Sequence, residues 1–232
     1  MARALILAGG LGKRLRPVTD YLPKPLVPVL NVPILGWQLR HLGRHGIRDV
    51  TVCAGYKAGL LADYAARAGR GMRVDVSEER SPLGTAGAAK RAARGRRGPF
   101  IIMNGDVITD IDLGAMLDAP RSVAAVPLRS SYGVLDLDGP RVAGFGEKGQ
   151  VPGSWMNAGI YNLDAGAVRD MPARGDLERT LFPSYAARGL LSAVRFEGAM
   201  WHSVDSFKDL EECAASLSRS GAGRPSGRRP RT

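Results

Sequence analysis

The chain has 232 residues, which is enough for one sizeable α/β domain with its own hydrophobic core. It contains no apolar run of about 18 residues and no evident secretory signal, and its two cysteines give no disulfide framework. We therefore expect no membrane association and a reducing, cytoplasmic location. The formal net charge is +11, and a basic surface suits a protein whose small substrates are polyanions.

The chain opens on an apolar run that breaks into a glycine loop followed by basic residues, Leu5-Ile6-Leu7-Ala8-Gly9-Gly10-Leu11-Gly12-Lys13-Arg14. We interpret this as a buried strand and a tight loop whose backbone N–H groups can approach a phosphate chain. Arg14 and Lys24 would add positive charge there. The P-loop and dinucleotide patterns both fail, because Leu7 and Leu15 stand where those patterns need glycine.

Apolar β-type runs alternate with helical stretches through the first half of the chain. The predicted strands are Ala4–Ala8, Asp49–Ala54, Arg73–Ser77 and Phe100–Met103, and the predicted helices are Pro33–Gly46, Lys57–Ala68 and Thr85–Arg94. This alternation is typical of a doubly wound, mainly parallel sheet that binds ligands at the carboxyl ends of its strands. Both the glycine loop and Asn104-Gly105-Asp106 fall at such ends.

From Ser122 onward the pattern becomes richer in β structure. The predicted strands are Val123–Leu128, Val134–Leu137, Val142–Phe145 and Met156–Leu163, and the predicted helices are Leu177–Arg188 and Lys208–Leu217. Asp138-Gly139 is typical of a hairpin turn. We expect one domain over 1–217 and a disordered basic tail over 218–232. Since no aromatic residues interleave with the basic residues of that tail, we expect no specific nucleic-acid binding.

Six motifs, taken in order, resemble those of the sugar-1-phosphate nucleotidyltransferase family. They are Leu7-Ala8-Gly9-Gly10-Leu11-Gly12-Lys13-Arg14-Leu15, Pro23-Lys24-Pro25-Leu26, Pro82-Leu83-Gly84-Thr85-Ala86-Gly87, Asn104-Gly105-Asp106, Glu147-Lys148 and Asn157-Ala158-Gly159-Ile160-Tyr161. The resemblance implies a three-layer, Rossmann-like α/β fold with a mixed, mainly parallel central sheet and a small β-rich sugar-binding lid. It also implies a nucleotide half at about 1–120 and a sugar half at about 121–217. The short mannose- and heptose-1-phosphate guanylyltransferases look most similar.

The resemblance further implies that a sugar 1-phosphate attacks the α-phosphorus of a nucleoside triphosphate, so that pyrophosphate leaves without a covalent enzyme intermediate. Such chemistry needs alignment of two anions, charge neutralisation and a metal ion. The catalytic residues would be Arg14, Lys24, Asp106 and Lys148. The nucleotide-binding residues would be Leu7, Ala8, Gly9, Gly10, Gly12, Lys13, Arg14, Glu79, Gly84, Thr85 and Asn104.

A magnesium site is expected at Asp106, because a carboxylate beside phosphates is a hard oxygen donor for Mg²⁺. The alternative is that this aspartate only caps a turn. Many relatives carry a second acid where Ser203 stands here, and some carry it two residues later, so Asp205 is the expected second ligand.

The sugar side of the site would comprise Gly133, Glu147, Lys148, Asn157 and Gly159. Glu147 would accept hydrogen bonds from sugar hydroxyls, and Lys148 would pair with the sugar 1-phosphate. The family usually has proline where Gly149 follows here. The expected partners are thus a nucleoside triphosphate and a sugar 1-phosphate, and a homodimer is common among such relatives.

The identity of the base should depend on Glu79, which lies five residues before Gly84. An ionised carboxylate only accepts hydrogen bonds. Guanine offers adjacent N1–H and N2–H donors, whereas thymine and uracil offer one donor beside acceptors, so GTP is favoured. Uridylyl or thymidylyl transfer to another sugar 1-phosphate, a choline-phosphate-type cytidylyltransferase and a non-catalytic nucleotide-sensing subunit remain alternatives.

Overall fold

Strands and helices alternate along the chain in a computed structural model that describes residues 1–68, 71–130, 132–147 and 149–220. The strands are β1 (Arg3–Ala8), β2 (Pro28–Val29), β3 (Val32–Pro33), β4 (Asp49–Ala54), β5 (Arg73–Glu78), β6 (Phe100–Asn104), β7 (Val107–Thr109), β8 (Ser122–Ser130), β9 (Val134–Asp138), β10 (Arg141–Gly146), β11 (Gly149–Leu163), β12 (Ser192–Arg195) and β13 (Trp201–Ser203). The helices are α1 (Val18–Tyr21), α2 (Ile34–Arg44), α3 (Ala58–Ala68), α4 (Gly84–Ala92), α5 (Leu113–Leu117), α6 (Ala165–Asp170), α7 (Leu181–Ala187) and α8 (Phe207–Arg219).

Within the described residues, seven strands form one sheet in the order β12-β8-β11-β6-β1-β4-β5. Strand β1 lies between β6 and β4 and runs parallel to both, so that Ile6 pairs with Met103 on one side and Val52 on the other. Strand β11 is antiparallel to β6 and to β8, while β12 is parallel to β8. The predicted mixed, mainly parallel sheet is confirmed.

Helices cover both faces of the sheet, which gives the predicted three layers. Successive residues of β1 point to opposite faces, as in any strand: Ile6 packs with Leu35 and Leu61 of α2 and α3, whereas Leu5 packs with Ala89 of α4. Buried on both sides, β1 is continuously apolar rather than alternating, which is typical of a central parallel strand.

The second half was predicted to form a small β-rich lid, but only part of it is separate from the main sheet. Strands β8, β11 and β12 extend the main sheet, and β9 and β10 form a separate two-stranded ribbon. The short elements β7, β12, β13, α5 and α6 were not predicted, because runs of a few residues carry no clear periodicity.

The predicted helix Leu177–Arg188 begins only at Leu181, because Thr180, at φ −123° and ψ −75°, is not helical and separates the turn at 177–180 from the helix. The final helix is longer than predicted and continues to Arg219, so the first residues assigned to a disordered tail are helical. The remainder of that tail, 221–232, lies outside the described residues.

No helix in the described ranges combines the length and apolar character that spanning a bilayer requires. Homodimerisation and a cytoplasmic location remain predictions.

The imidazole of His41, in α2, is buried in its neutral form. His41 is 7% exposed, and its burial, with further contributions from the neighbouring His45 and Arg44 side chains, lowers its pKa from 6.5 to about 4. A hydrogen bond to the Ile111 backbone and the charge of Asp112 act in the opposite direction without cancelling this effect.

We expect His41 to make the folded protein less stable in mild acid. The unfolded chain binds a proton at this side chain as the pH falls through 6.5, whereas the folded protein resists protonation down to about 4. The linkage reduces the unfolding free energy by about 1–2 kcal/mol between roughly pH 7 and pH 5. Urea denaturation at both pH values should show a smaller acid-induced loss for His41→Leu than for the wild type. An equal loss in the two proteins would contradict this assignment.

Candidate active site

The glycine loop predicted from the sequence connects β1 to a short 3₁₀ turn at Lys13–Leu15. Gly12 adopts a left-handed conformation with φ +60°, and a Cβ there would lie 2.9 Å from Cγ2 of Thr19 and 3.2 Å from Cβ of Lys24. The Thr19 hydroxyl donates to the Gly12 carbonyl at 2.9 Å. The loop is therefore packed directly against the segment that carries Lys24, and only glycine fits both the backbone conformation and the space.

An ionic cluster, which we call the Lys24 centre, joins Arg14, Lys24, Asp106 and Asp205. The Lys24 Nζ donates to Oδ2 of Asp106 at 2.7 Å and to Oδ1 of Asp205 at 2.6 Å. Nη2 of Arg14 donates to the same Asp205 oxygen at 2.7 Å. The Lys24 side chain is 13% exposed and that of Arg14 is 74% exposed, so the lysine forms the interior of the cluster and the arginine its rim.

The fold brings these four residues together from distant parts of the sequence. Asp106 follows the carboxyl end of β6, and Asp205 follows β13, which pairs with β7 immediately after Asp106. The backbone N–H of Val204 donates to the Asp106 carbonyl at 2.9 Å, so the two acidic segments are also joined directly.

The charges of the Lys24 centre keep Asp205 ionised. Burial acts to raise the pKa of this carboxyl, but the hydrogen bond and charge of Lys24 and the charge of Arg14 outweigh burial, so the pKa lies below its ordinary value. The Ser203 hydroxyl also donates to Oδ2 of Asp205 at 3.1 Å.

The two carboxylates of the Lys24 centre suit a divalent cation whose other ligands are phosphate oxygens. Oδ1 of Asp106 is buried and has no hydrogen-bond partner among the described residues. Over the same residues, no group of three or more His, Cys, Asp and Glu side chains is arranged to hold a metal ion. Mg²⁺ is commonly bound by one or two carboxylates plus substrate phosphates, and Asp106 and Asp205 supply that number.

A cavity of about 360 Å³ opens beside the Lys24 centre. We call it the loop cavity. Its lining includes the following predicted site residues: Leu7, Ala8, Gly10, Gly12, Lys13, Arg14, Lys24, Thr85, Asn104, Asp106 and Asp205. The glycine loop, three basic side chains and two carboxylates thus line one space.

A second cavity of about 480 Å³, the Glu79 cavity, shares Leu7, Ala8, Gly10 and Thr85 with the first. Gly9, Glu79 and Gly84 also line it. Glu79 accepts the backbone N–H of Leu83 through Oε2 at 2.7 Å, and its Oε1 lies 2.6 Å from the position of a Cβ on Gly9. The carboxylate is thus fixed against the glycine loop.

The predicted sugar-side residues fall in two places. Gly159 lies against Asn104, whose Nδ2 is 2.6 Å from the position of a Cβ on this glycine, and Asn157 accepts the Gly159 backbone N–H at 2.8 Å. Gly133 and Glu147 meet at the β9–β10 ribbon, where Oε2 of Glu147 is 3.6 Å from the corresponding Cβ position. Neither lines the loop cavity or the Glu79 cavity. Lys148 lies outside the described residues.

Sequence reasoning missed a hydrogen-bond chain that connects the two halves of the site. The Thr85 hydroxyl donates to Oε2 of Glu178 at 3.0 Å, and the Tyr161 hydroxyl donates to Oε1 of the same carboxylate at 3.0 Å. Nδ2 of Asn157 donates to the Tyr161 oxygen at 2.9 Å. Glu178 stands in no recognisable motif, so no sequence signal could have found it.

Residues 3–220 match the family described as "Nucleotidyl transferase". The mannose-1-phosphate guanylyltransferase catalytic subunit beta of Danio rerio is 36% identical over 225 residues, which cover 90% of this chain and 62% of that protein. The D-glycero-alpha-D-manno-heptose 1-phosphate guanylyltransferase of Aneurinibacillus thermoaerophilus is 36% identical over 167 residues, covering 68% of this chain and 73% of that protein.

A solved structure also resembles the chain along most of its length. HddC from Yersinia pseudotuberculosis, crystallised as a complex with GMP-PN, superposes with a TM-score of 0.74 at 27% identity. The match covers 94% of this chain and 100% of that one. By contrast, the present chain spans less than two thirds of the Danio rerio relative, at 62% of its length.

Replacement by alanine should affect protein stability differently at Gly12 and at Gly10. Gly12→Ala forces an L-residue into the left-handed region against Thr19 and Lys24 and should lower the unfolding free energy by about 1–2 kcal/mol. Gly10→Ala meets nothing within 4 Å and should change it by less than about 0.5 kcal/mol. Urea denaturation of both variants gives the comparison, and equal losses would show that the Gly12 conformation carries no such constraint.

Proposed function

The chain belongs to the nucleotidyl transferase family, and we propose that it transfers a guanylyl group from GTP to a mannose- or heptose-type sugar 1-phosphate. The products are a guanosine-diphosphate sugar and pyrophosphate. The observation that carries this proposal is the Lys24 centre, in which two cations and two carboxylates meet beside the glycine loop. The guanylyltransferase names of the relatives support the choice of base and sugar.

The reaction is a displacement at phosphorus. An oxygen of the sugar 1-phosphate bonds to the α-phosphorus while the bond to the bridging oxygen of the β-phosphate breaks, and pyrophosphate leaves with that electron pair. The attacking phosphate oxygen is already ionised, so no protein base is needed. The obstacle is the repulsion between two anions, which fixed positive charges and backbone dipoles reduce.

Lys24 is the side chain best placed to neutralise this charge. Its ammonium group is largely buried and aligned by two carboxylates, so it keeps its position before substrate arrives. Arg14 lies more exposed at the rim of the same cavity, where it would bind the outgoing pyrophosphate end of the triphosphate. The N–H groups of the glycine loop supply the remaining donors.

We propose that Asp106 and Asp205 hold Mg²⁺ together with phosphate oxygens. The unpartnered Oδ1 of Asp106 and the ionised Asp205 carboxylate support this assignment. When bound, the ion neutralises charge on the triphosphate and orients it for in-line attack. Lys24, which donates to both carboxylates, offsets part of their negative charge, and Arg14 adds a second positive charge at Asp205.

Glu79 would read the base. Its Oε2 accepts the Leu83 N–H, while its Oε1 faces the glycine loop in the Glu79 cavity. Each carboxylate oxygen can accept more than one hydrogen bond, so the adjacent N1–H and N2–H donors of guanine suit this side chain.

The sugar 1-phosphate would lie between Asn104 and the β9–β10 ribbon. Asn157 and Gly159 occupy the β11 side of that space, and Gly133 and Glu147 occupy the ribbon. Lys148 keeps its expected role of pairing with the sugar phosphate.

A pyrophosphate-release assay tests the proposal. The wild type, with Mg²⁺, is screened with GTP, ATP, CTP, UTP and dTTP against a panel of sugar 1-phosphates. We expect GTP with a mannose or heptose 1-phosphate to give the highest rate and chelation of Mg²⁺ to abolish it. Lys24→Met should lower the rate by about 10²–10³-fold, as loss of one preorganised charge donor does.

Lys90→Met is the matched control, because the Lys90 Nζ also makes two hydrogen bonds, to carbonyls of Arg169 and Met171, outside both cavities. It should retain the wild-type rate. Release with UTP or dTTP but not with GTP would overturn the base assignment, and no release with any pair would overturn the function.

Base reading by Glu79 has its own test. In Glu79→Gln the side-chain oxygen can still accept from Leu83, but an NH₂ donor replaces the second acceptor. The kcat/KM for GTP should fall by about 10- to 100-fold, as expected when a donor–acceptor pair is lost. The preference for GTP over ITP, which lacks the 2-amino group, should shrink. Glu78→Gln alters the adjacent exposed carboxylate and should leave both values unchanged. An unaltered GTP-to-ITP ratio in Glu79→Gln would exclude this role.

A further inference from the structure

A buried glutamine lies behind the turn that carries Asp106. Gln38, in α2, is 1% exposed. Its Nε2 donates to the carbonyl of Asn104 at 2.7 Å and to the carbonyl of Val107 at 2.9 Å. These carbonyls flank Gly105 and Asp106, so one side-chain amide spans the whole turn, and Gln38 itself does not line the loop cavity.

The direction of these hydrogen bonds fixes the orientation of the amide. A primary amide nitrogen has two N–H groups, and here each has a backbone carbonyl as its acceptor. The reversed amide would place an oxygen against two other oxygens and would lose both hydrogen bonds. Oε1 of Gln38 is itself buried with no partner among the described residues, so the two donated bonds account for the placement of this polar group.

Other contacts of the turn come from the backbone. The Gly105 N–H donates to the Leu7 carbonyl at 2.8 Å, and the Asp106 carbonyl accepts the Val204 N–H at 2.9 Å. These bonds tie the turn to β1 and to the segment before Asp205. In the described part of the chain, Gln38 is the side chain that hydrogen-bonds to the backbone of residues 104–107.

We propose that Gln38 is a positioning residue that holds the Asp106 turn in place and thereby sets the coupling between nucleotide and divalent-cation binding. The inference rests on the proposed function, since it assumes that Asp106 is a metal ligand. Gln38 does not line the loop cavity, and it makes no hydrogen bond to the four side chains of the Lys24 centre. Its effect passes through the backbone of the turn, which fixes where the Asp106 carboxylate can lie.

The contrast between metal-dependent and metal-free binding tests this role. A non-hydrolysable GTP analogue is titrated calorimetrically with Mn²⁺ present as the probe ion and again in EDTA. In Gln38→Met, which keeps the length of the side chain but has no donor, the enhancement of analogue affinity by Mn²⁺ should fall by about 10- to 100-fold, as for loss of other groups that orient metal ligands. Affinity in EDTA should stay close to the wild-type value, because the glycine loop is untouched.

A second variant keeps the shape of the side chain and serves if Gln38→Met folds poorly. Gln38→Glu places a carboxyl group against the two carbonyls, so only its protonated form can donate a hydrogen bond. The Mn²⁺ enhancement should therefore be lost at neutral pH and recover in part, relative to the wild type at the same pH, as the pH is lowered.

Leu42→Val is the control for general disturbance of α2, because Leu42 is buried in the core on the same helix. It should lower thermal stability without changing the Mn²⁺ enhancement. A wild-type enhancement in Gln38→Met, or an equal loss in Leu42→Val, would overturn the positioning role alone. A wild type that binds neither analogue nor Mn²⁺ would instead overturn the proposed function and this inference with it.

Discussion

The site depends on one ammonium group held between two carboxylates. Lys24 Nζ lies 2.7 Å from Asp106 and 2.6 Å from Asp205, in a position where its side chain is only 13% exposed. A charge that is largely removed from water requires charged partners, and removing one partner leaves the others uncompensated. The ion pairs therefore constrain the glycine loop, the end of β6 and the segment after β13 to a single arrangement.

The sheet supplies that arrangement before any substrate binds. The parallel pairing of β1 with β6 places the glycine loop beside the Asn104–Asp106 turn, and the β7–β13 pair brings the Asp205 segment to the same edge. The close approach of Gly105 to the Leu7 carbonyl leaves no space for a side chain between these elements. The backbone pairing thus brings the segments of the candidate site together, and the ion pairs of the Lys24 centre then join their side chains.

Residues whose role follows from local pattern were predictable from the sequence. The glycine loop, Lys24 and the Asn104-Gly105-Asp106 turn sit at breaks in strong apolar periodicity, and the structure brings them together. Asp205 required the family resemblance, since Ser203 occupies the commoner place for the second acid. Gln38 and Glu178 could not have been found, because side-chain hydrogen bonds leave no periodic signal. The partners of Gln38 lie 66 and 69 residues away, and Thr85 lies 93 residues from Glu178. The same reason explains why β7 and β13, which exist only as a pair, were missed.

The chain of hydrogen bonds from Thr85 to Asn157 determines how the Asn157 amide is oriented. Burial and the nearby Glu178 carboxylate raise the pKa of Tyr161, so its hydroxyl remains protonated and must donate toward Glu178. The Tyr161 oxygen is then left to accept, and the Asn157 amide turns its nitrogen inward and its oxygen toward the Gly159 N–H. The orientation of the Asn157 amide therefore depends, through Tyr161, on the same Glu178 side chain that accepts from Thr85. Thr85, which lines both cavities, and the Asn157 amide thus share one carboxylate as a common anchor, so a substitution of Glu178 would reach two otherwise separate parts of the candidate site.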